Sequence, residues 1–516
     1  MRRRHPEIDP QSLSETDEQR QLRAVLRDFF TEASSPEDVR KHLGTPRGYD
    51  EPVWARLAGE IGVHGLAVPE EYGGAGFTFA ELAVALEESG RALYCAPLLP
   101  TVALAAHALL YSGDHTACEC YLPRIADGTL TATVAGFDAP EPASPASPDG
   151  PDEPGVTAEQ VGSGWVLRGQ ADFVLDGAGA DLILVRARTP AGPRLFACEP
   201  TQDTSRRTPR RVLDETRRQA LVEFRGAPAT ALGTAEGTEE TVAATLDAGR
   251  AALAAEQVGG SGHALDATVE FAAQRHQFGR PIGSFQAVKH RLADVLVALE
   301  AARTASAYAT ACAAARAMSS PSAVASSQLP VAACAAAVVC SETFRLATAE
   351  YVQLHGGIGF TWEHPAHLYV RRARGGEVLF GTTDRHRTRL AELIGLTTGN
   401  DPTAGTGSTA GIGPTAGTGP TAGIGSTAGT GSSAGTGSTA GIGPTAGTGS
   451  TAGTGSTAGT GPTAGTGPTA GIGSTAGTGS TAGTGSTAGI GSTAGIGPTA
   501  GIGPTTGIGP TTGSAA

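Results

Sequence analysis

Residues 275–290 read RHQFGRPIGSFQAVKH, and residues 351–362 read YVQLHGGIGFTW. Each string sets a few polar groups and glycines at the edge of a long, apolar helical stretch. Arginine offers several planar donors to phosphate oxygens, and glycine stands where backbone must touch a ligand. Together the strings suit a large, flat cofactor that carries a diphosphate. Singly, each part has a plainer reading: Arg275 as a solvated helix-end charge, Gln353 as a cap, Gly356-Gly357 as a helix C-cap. The joint occurrence carries the argument.

Outward from these strings the chain reads helices, then strands, then helices. Apolar residues at helix spacing run from Glu18 to Phe30, and Trp54, Leu57 and Ile61 repeat the pattern. A Gly-rich break, VPEEYGGAGF at 68–77, precedes a helix predicted from Phe79 to Ala92, with Thr78 and Glu81 spaced as a capping box. Residues 129–137, 164–169, 180–187, 194–199 and 220–224 are β-type runs separated by Gly, Pro and Asp. Residues 138–155 read as a flexible surface loop. Glu239 to Arg275 is one long helical pattern interrupted by Gly259, Gly260 and Gly262. Residues 285–299 line apolar groups along one helix face, and Pro330 to Gln353 forms an Ala- and Cys-rich helix suited to a tight bundle. The expected domains are 1–128 (helical), 129–234 (β) and 235–396 (helical bundle), an α+β fold with the β domain inserted between helical parts.

Residues 397–516 form a separate region. From Pro402 onward there is no Asp, Glu, Lys or Arg, so the net charge of −13 lies entirely in residues 1–401. The sequence repeats as G-T/I-G-S/P-T-A. A hexapeptide solenoid needs a bulky aliphatic residue in nearly every turn, whereas here Thr and Ile alternate irregularly. Disorder is therefore the expectation, with a solenoid or a glycosylated stalk second.

The acidic balance excludes nucleic acid as the main partner. The seven cysteines form no C-x-x-C pair, which argues against a zinc cluster and suits a reducing cytoplasm. MRRRHPEIDP is not a secretory signal, and no apolar, charge-free run is long enough to span a membrane. Glu363, His364 and His367 suggest a metal only faintly; a structural role is the better reading.

VPEEYGG, R-x-x-FG-x-PI-x-x-FQ and Q-x-HGG resemble acyl-CoA dehydrogenases over residues 15–396. RHQFGRPIGSFQAVKHRLAD and GFTWEHPAHLYVRRA look most like the actinobacterial subunits that dehydrogenate steroid side-chain thioesters. The resemblance implies an acyl-CoA dehydrogenase-like fold, FAD as cofactor, an acyl-CoA substrate and electron-transfer flavoprotein as acceptor. In that reaction a base takes a proton from the α-carbon while a hydride leaves the β-carbon for the flavin. By the same resemblance Arg275 matches the arginine on the flavin diphosphate, and Phe278 and Gln286 match neighbouring contacts. Gln353, Gly356 and Gly357 match the adenosine end, and Thr382 follows the catalytic Glu-Gly. Asp247 and Arg250, a plain i,i+3 pair by spacing, match the pair near the thioester. In the family the diphosphate contacts come largely from a neighbouring subunit.

Three departures from the family pattern decide the functional reading. Phe380 occupies the usual base position, since residues 380–382 read FGT in place of EGT. Gly249 occupies the alternative base position, immediately before the arginine of D-x-x-R. The Gly-Ala-Gly-Ser-Asp flavin loop is missing, and the Trp-Ile-Thr that packs on the ring reads Phe173-Val174-Leu175. Glu256 and Glu377 remain as substitute carboxylates. The arginines of 206–218 read as a solvated edge. Groups that serve a neighbour's flavin are kept, while those that hold the chain's own ring and base are lost. The expectation is half of a hetero-oligomer with a paralogous acyl-CoA dehydrogenase subunit. The alternatives are a structural or regulatory paralogue without flavin, or a flavin monooxygenase or oxidase of the same superfamily.

Overall fold

In the computed structural model, Thr78 caps a helix as its sequence predicts. Its hydroxyl accepts from the Ala80 amide at 3.1 Å, and Glu81 accepts from the Thr78 amide at 2.9 Å. The structure describes residues 13–137, 155–317 and 328–396, together with short strands between 409 and 513. The N-terminal helices are α1 (Asp17–Ala33), α2 (Pro36–Leu43), α3 (Glu51–Arg56), α4 (Phe79–Arg91), α5 (Ala106–Ser112) and α6 (His115–Ala126).

The β region has seven strands: β1 (Ala132–Ala135), β2 (Val156–Val161), β3 (Gly164–Leu175), β4 (Leu182–Thr189), β5 (Gly192–Cys198), β6 (Ser205–Pro209) and β7 (Gln219–Leu232). They run in the order β1-β4-β2-β3-β7-β5, with β6 on β7, and a β4–β5 pairing closes the sheet on itself. Buried residues alternate along β4 between two cores. Leu182 and Leu184 join the α5–α6 side, and Ile183 and Val185 join the sheet interior. β2 (VTAEQV) and β6 (SRRTP) escape sequence prediction because they are polar and owe their strand state to pairing with β3 and β7. Residues 138–154, most of the expected loop, lie outside the described residues.

The C-terminal helices are α7 (Thr238–Gln274), α8 (Gln286–Ala317), α9 (Leu329–His355), α10 (Ala366–Gly376) and α11 (Thr383–Leu393). Between α7 and α8 lies a small hairpin, β8 (His276–Gln277) and β9 (Arg280–Pro281). The glycines of α7 do not interrupt it; they are contact points. A Cβ on Gly259 would lie 1.8 Å from the Glu87 carbonyl oxygen, and one on Gly90 would lie 2.1 Å from that of Glu256. α4 and α7 therefore touch backbone to backbone, and the N- and C-terminal helices share one hydrophobic core. α9 is long and apolar enough to cross a membrane by length and composition. Its buried face packs on α7 and α8.

Residues 398–516 form a second compact unit. Its short strands pair in parallel, two hexapeptides apart in β-pairs such as Thr409 with Thr421 and three apart farther on, where Thr451 to Thr460 lie opposite Thr469 to Thr478.

Candidate functional site

α7 ends at Arg275, whose amide still donates to Phe271 at 2.8 Å while its backbone turns extended. The hairpin tip follows, with Phe278 at φ 55° and Gly279 at φ 76°. Two successive positive φ values make the tight turn that twisted strands require. Glycine accepts this freely; phenylalanine does so at a cost of roughly 1–2 kcal/mol. Phe278 is also 92 % exposed. A strained aromatic held out in solvent contributes little to folding and points to a ligand or partner. Arg275 and Gln286 are exposed too, and among the described residues no hydrogen bond or ion pair engages the Arg275 side chain.

The second string ends α9. Gln353, Gly356 and Gly357 are exposed, Gly356 has φ 64°, and a Cβ added at either glycine would meet nothing within 4 Å. Beyond them Phe360 and Trp362 are 85 % and 68 % exposed. These residues fit an adenosine diphosphate: open backbone, an unengaged arginine and aromatic faces.

The inward-facing candidates are engaged. Asp247 is buried and accepts from Arg250 at 2.7 Å and from both Arg389 terminal nitrogens, at 2.6 and 2.9 Å. Arg250 in turn donates to the Phe380 carbonyl at 3.1 Å. The pair thus anchors the 380–382 turn and is not a surface pair. His386 beside it has its pKa pushed down to about 4, by burial first and then by Arg250 and Arg389. Thr382 caps α11, its hydroxyl accepting from the Arg385 amide at 3.3 Å.

Phe380 has φ 61°. A Cβ on Gly249 would lie 3.4 and 3.5 Å from the Phe380 ring and 2.5 Å from Leu104 Cδ2. The two base positions read from the sequence therefore meet in space, and an aromatic ring and a bare helix surface fill them. Phe173 shares the left-handed backbone, at φ 52°, and is 60 % exposed with Arg210 over its ring at 6.0 Å. Val174 and Leu175 are buried.

Glu256 is buried and accepts hydrogen bonds from both Arg217 and Arg372. Burial alone raises its pKa; the two guanidiniums reverse this and hold it below the ordinary carboxylate range. A carboxylate so held is a poor proton acceptor, which removes it as a substitute base. Asp214 and Thr216 complete the cluster, with Arg372 Nε 3.1 Å from Asp214 and 2.9 Å from the Thr216 hydroxyl. Glu377 pairs with Arg374 at 3.0 Å.

Sequence reasoning missed Arg389, Leu104 and the Asp214–Arg217 loop. The last was hidden among the arginines of 206–218, which are not one solvated edge. Arg207 donates to the Ala180 carbonyl at 2.7 Å, Arg210 pairs with Asp172, and Arg218 reaches the carbonyls of Thr45 and Pro46. His364 accepts from the Ala366 amide at 3.2 Å, and His367 meets the Trp362 carbonyl at 3.3 Å, both structural contacts.

Comparison with known proteins shows the family. The profile described as "Acyl-CoA dehydrogenase, N-terminal domain" matches residues 16–129, and "Acyl-CoA dehydrogenase, C-terminal domain" matches 236–395. The chain belongs to the acyl-CoA dehydrogenase family. It is 34 % identical over 376 residues to "Acyl-CoA dehydrogenase IpdE2" of Mycolicibacterium smegmatis, covering 73 % of this chain and 98 % of that protein. Among solved structures, a variant of the "Tcur3481-Tcur3483 steroid ACAD" is 31 % identical with a TM-score of 0.62, covering 74 % of this chain and 98 % of that one. A chain of the "ChsE4-ChsE5 complex from Mycobacterium tuberculosis" is 25 % identical with a TM-score of 0.64, covering 76 % and 100 %.

Proposed function

We propose that this chain is a subunit of an FAD-dependent acyl-CoA dehydrogenase and works as half of a hetero-oligomer. A paralogous partner carries the base and the ring pocket. This subunit offers Arg275, Phe278, Gln286, Gln353, Gly356 and Gly357 to the adenosine diphosphate end of the partner's FAD. Bound FAD supplies the hydride acceptor for α,β-dehydrogenation of an acyl-CoA thioester, and electron-transfer flavoprotein is the expected onward acceptor. The likeness to a steroid ACAD and to a two-component complex supports a steroid-type thioester and a heteromeric assembly. All seven cysteines are free, which supports a cytoplasmic setting.

One observation carries the reading: Arg275 is exposed and unengaged, while Asp247, Arg250 and Glu256 are all buried in ion pairs. The test is expression alone and with a neighbouring acyl-CoA dehydrogenase gene, read by the visible flavin spectrum. The lone chain should purify without flavin and without turnover. The complex should be yellow, and Arg275→Ala should lower its flavin content. A lone chain that is yellow and turns over acyl-CoA refutes the half-site. Flavin unchanged in the Arg275→Ala complex favours a purely structural subunit.

A further inference from the structure

The partly buried Phe380 ring packs against the helical core and against the core between α5–α6 and the sheet, beside the bare surface of Gly249. Its backbone is fixed from several sides. The carbonyl accepts from Arg250, Arg250 is held by Asp247, and Asp247 is held by Arg389. Gly381 lies against the His386 ring, since a Cβ there would come within 3.1 Å of it. This anchoring fixes the backbone from which the partly buried ring projects. A Cβ at Gly249 would touch the Phe380 ring at ordinary contact distance and press on the end of the Leu104 side chain, so the glycine, the ring and Leu104 pack together.

We propose that Phe380 is a plug: with Leu104 and Gly249 it fills the chamber into which a thioester's acyl part would extend within this chain. The subunit does not merely lack a base; it excludes the acyl group from its own fold. The location of the chamber rests on the reading given above. The consequence is a specificity of the assembly: acyl thioesters bind only where the partner's residues form the chamber.

The test compares free coenzyme A, octanoyl-CoA and cholyl-CoA by titration calorimetry on the full-length chain. Phe380→Gly is the main variant, because glycine takes φ 61° without strain while removing the ring. Phe380→Ala is the second, and circular dichroism and melting temperature check that both fold. In the wild type the acyl group should add nothing to coenzyme A binding. In a folded variant at least one thioester should bind at least about fivefold tighter than coenzyme A. A wild-type chain with that preference overturns the plug, as do folded variants with a smaller one. Flavin content plays no part in this readout, so its failure leaves the Arg275 assignment standing. Failure of that assignment shows in the spectrum of the complex.

Discussion

Glu256→Gln tests the clamp reading of that residue against a proton-acceptor role. A proton acceptor replaced by its amide loses turnover with little change in stability. A clamp loses stability. The structure predicts the second outcome, since Glu256 is 5 % exposed and bridges Arg217 from the β region to Arg372 of α10. Removing one partner of a buried ion cluster costs about 3–5 kcal/mol, because the arginines stay buried with less compensation. At roughly 2.1 cal/mol/K of unfolding entropy per residue, ~380 folded residues give ~0.8 kcal/mol/K, so the melting temperature should fall by about 4–6 °C. Differential scanning calorimetry at pH 7 measures this. A fall below about 1 °C, or an abolished turnover in the complex at unchanged melting temperature, would refute the clamp.

Gly259→Ala should destabilise by about 3 kcal/mol or somewhat more, because the new methyl meets the α4 backbone and no flexible side chain can give way; chemical denaturation reads it. Gly357→Ala is its counterpart: with nothing within 4 Å of the new methyl, melting should not change, while flavin retention by the complex should fall. His64 and His107 are buried with pKa values pushed down by burial to about 3 and about 4. The unfolded chain binds their protons first, so their contribution is full above pH 6.5 and is lost as pH falls, at roughly 1.4 kcal/mol per pH unit for each. Melting curves between pH 7 and 5 check the sign; a flat profile contradicts it. Truncation after Asn400 should leave the melting temperature of the remaining chain unchanged, because residues 13–396 hold their own cores.

The helical parts were legible because their signals are local. Thr78 and Glu81 form their capping box, and Leu26 and Phe29 of α1 are buried, while Val25 of the same periodic set is exposed. The flavin-type strings were legible as motifs, and their residues lie exposed at helix ends. What the sequence hid was long-range. β2 and β6 are strands by pairing and not by composition. The glycines of α7 look like interruptions because only the fold shows that Glu87 and Phe344 press on them. Asp247 looks like half of a local pair because its stronger partner, Arg389, is supplied by α11. Glu256 looks free for the same reason.

Among the described residues, three of the five non-glycine residues with positive φ are phenylalanines, Phe173, Phe278 and Phe380. Left-handed backbone at a bulky residue persists only where the surroundings impose it. Phe380 has such surroundings, with Arg250 on its carbonyl and a glycine under its ring. Phe278 and Phe173 differ: the two-residue hairpin turn and the register shift in β3 set their backbone, while both rings stand mostly in solvent. Under the proposed function these exposed rings are what a cofactor or partner surface would cover. The contrast between a packed, anchored Phe380 and the two exposed rings is what the proposed half-site rests on.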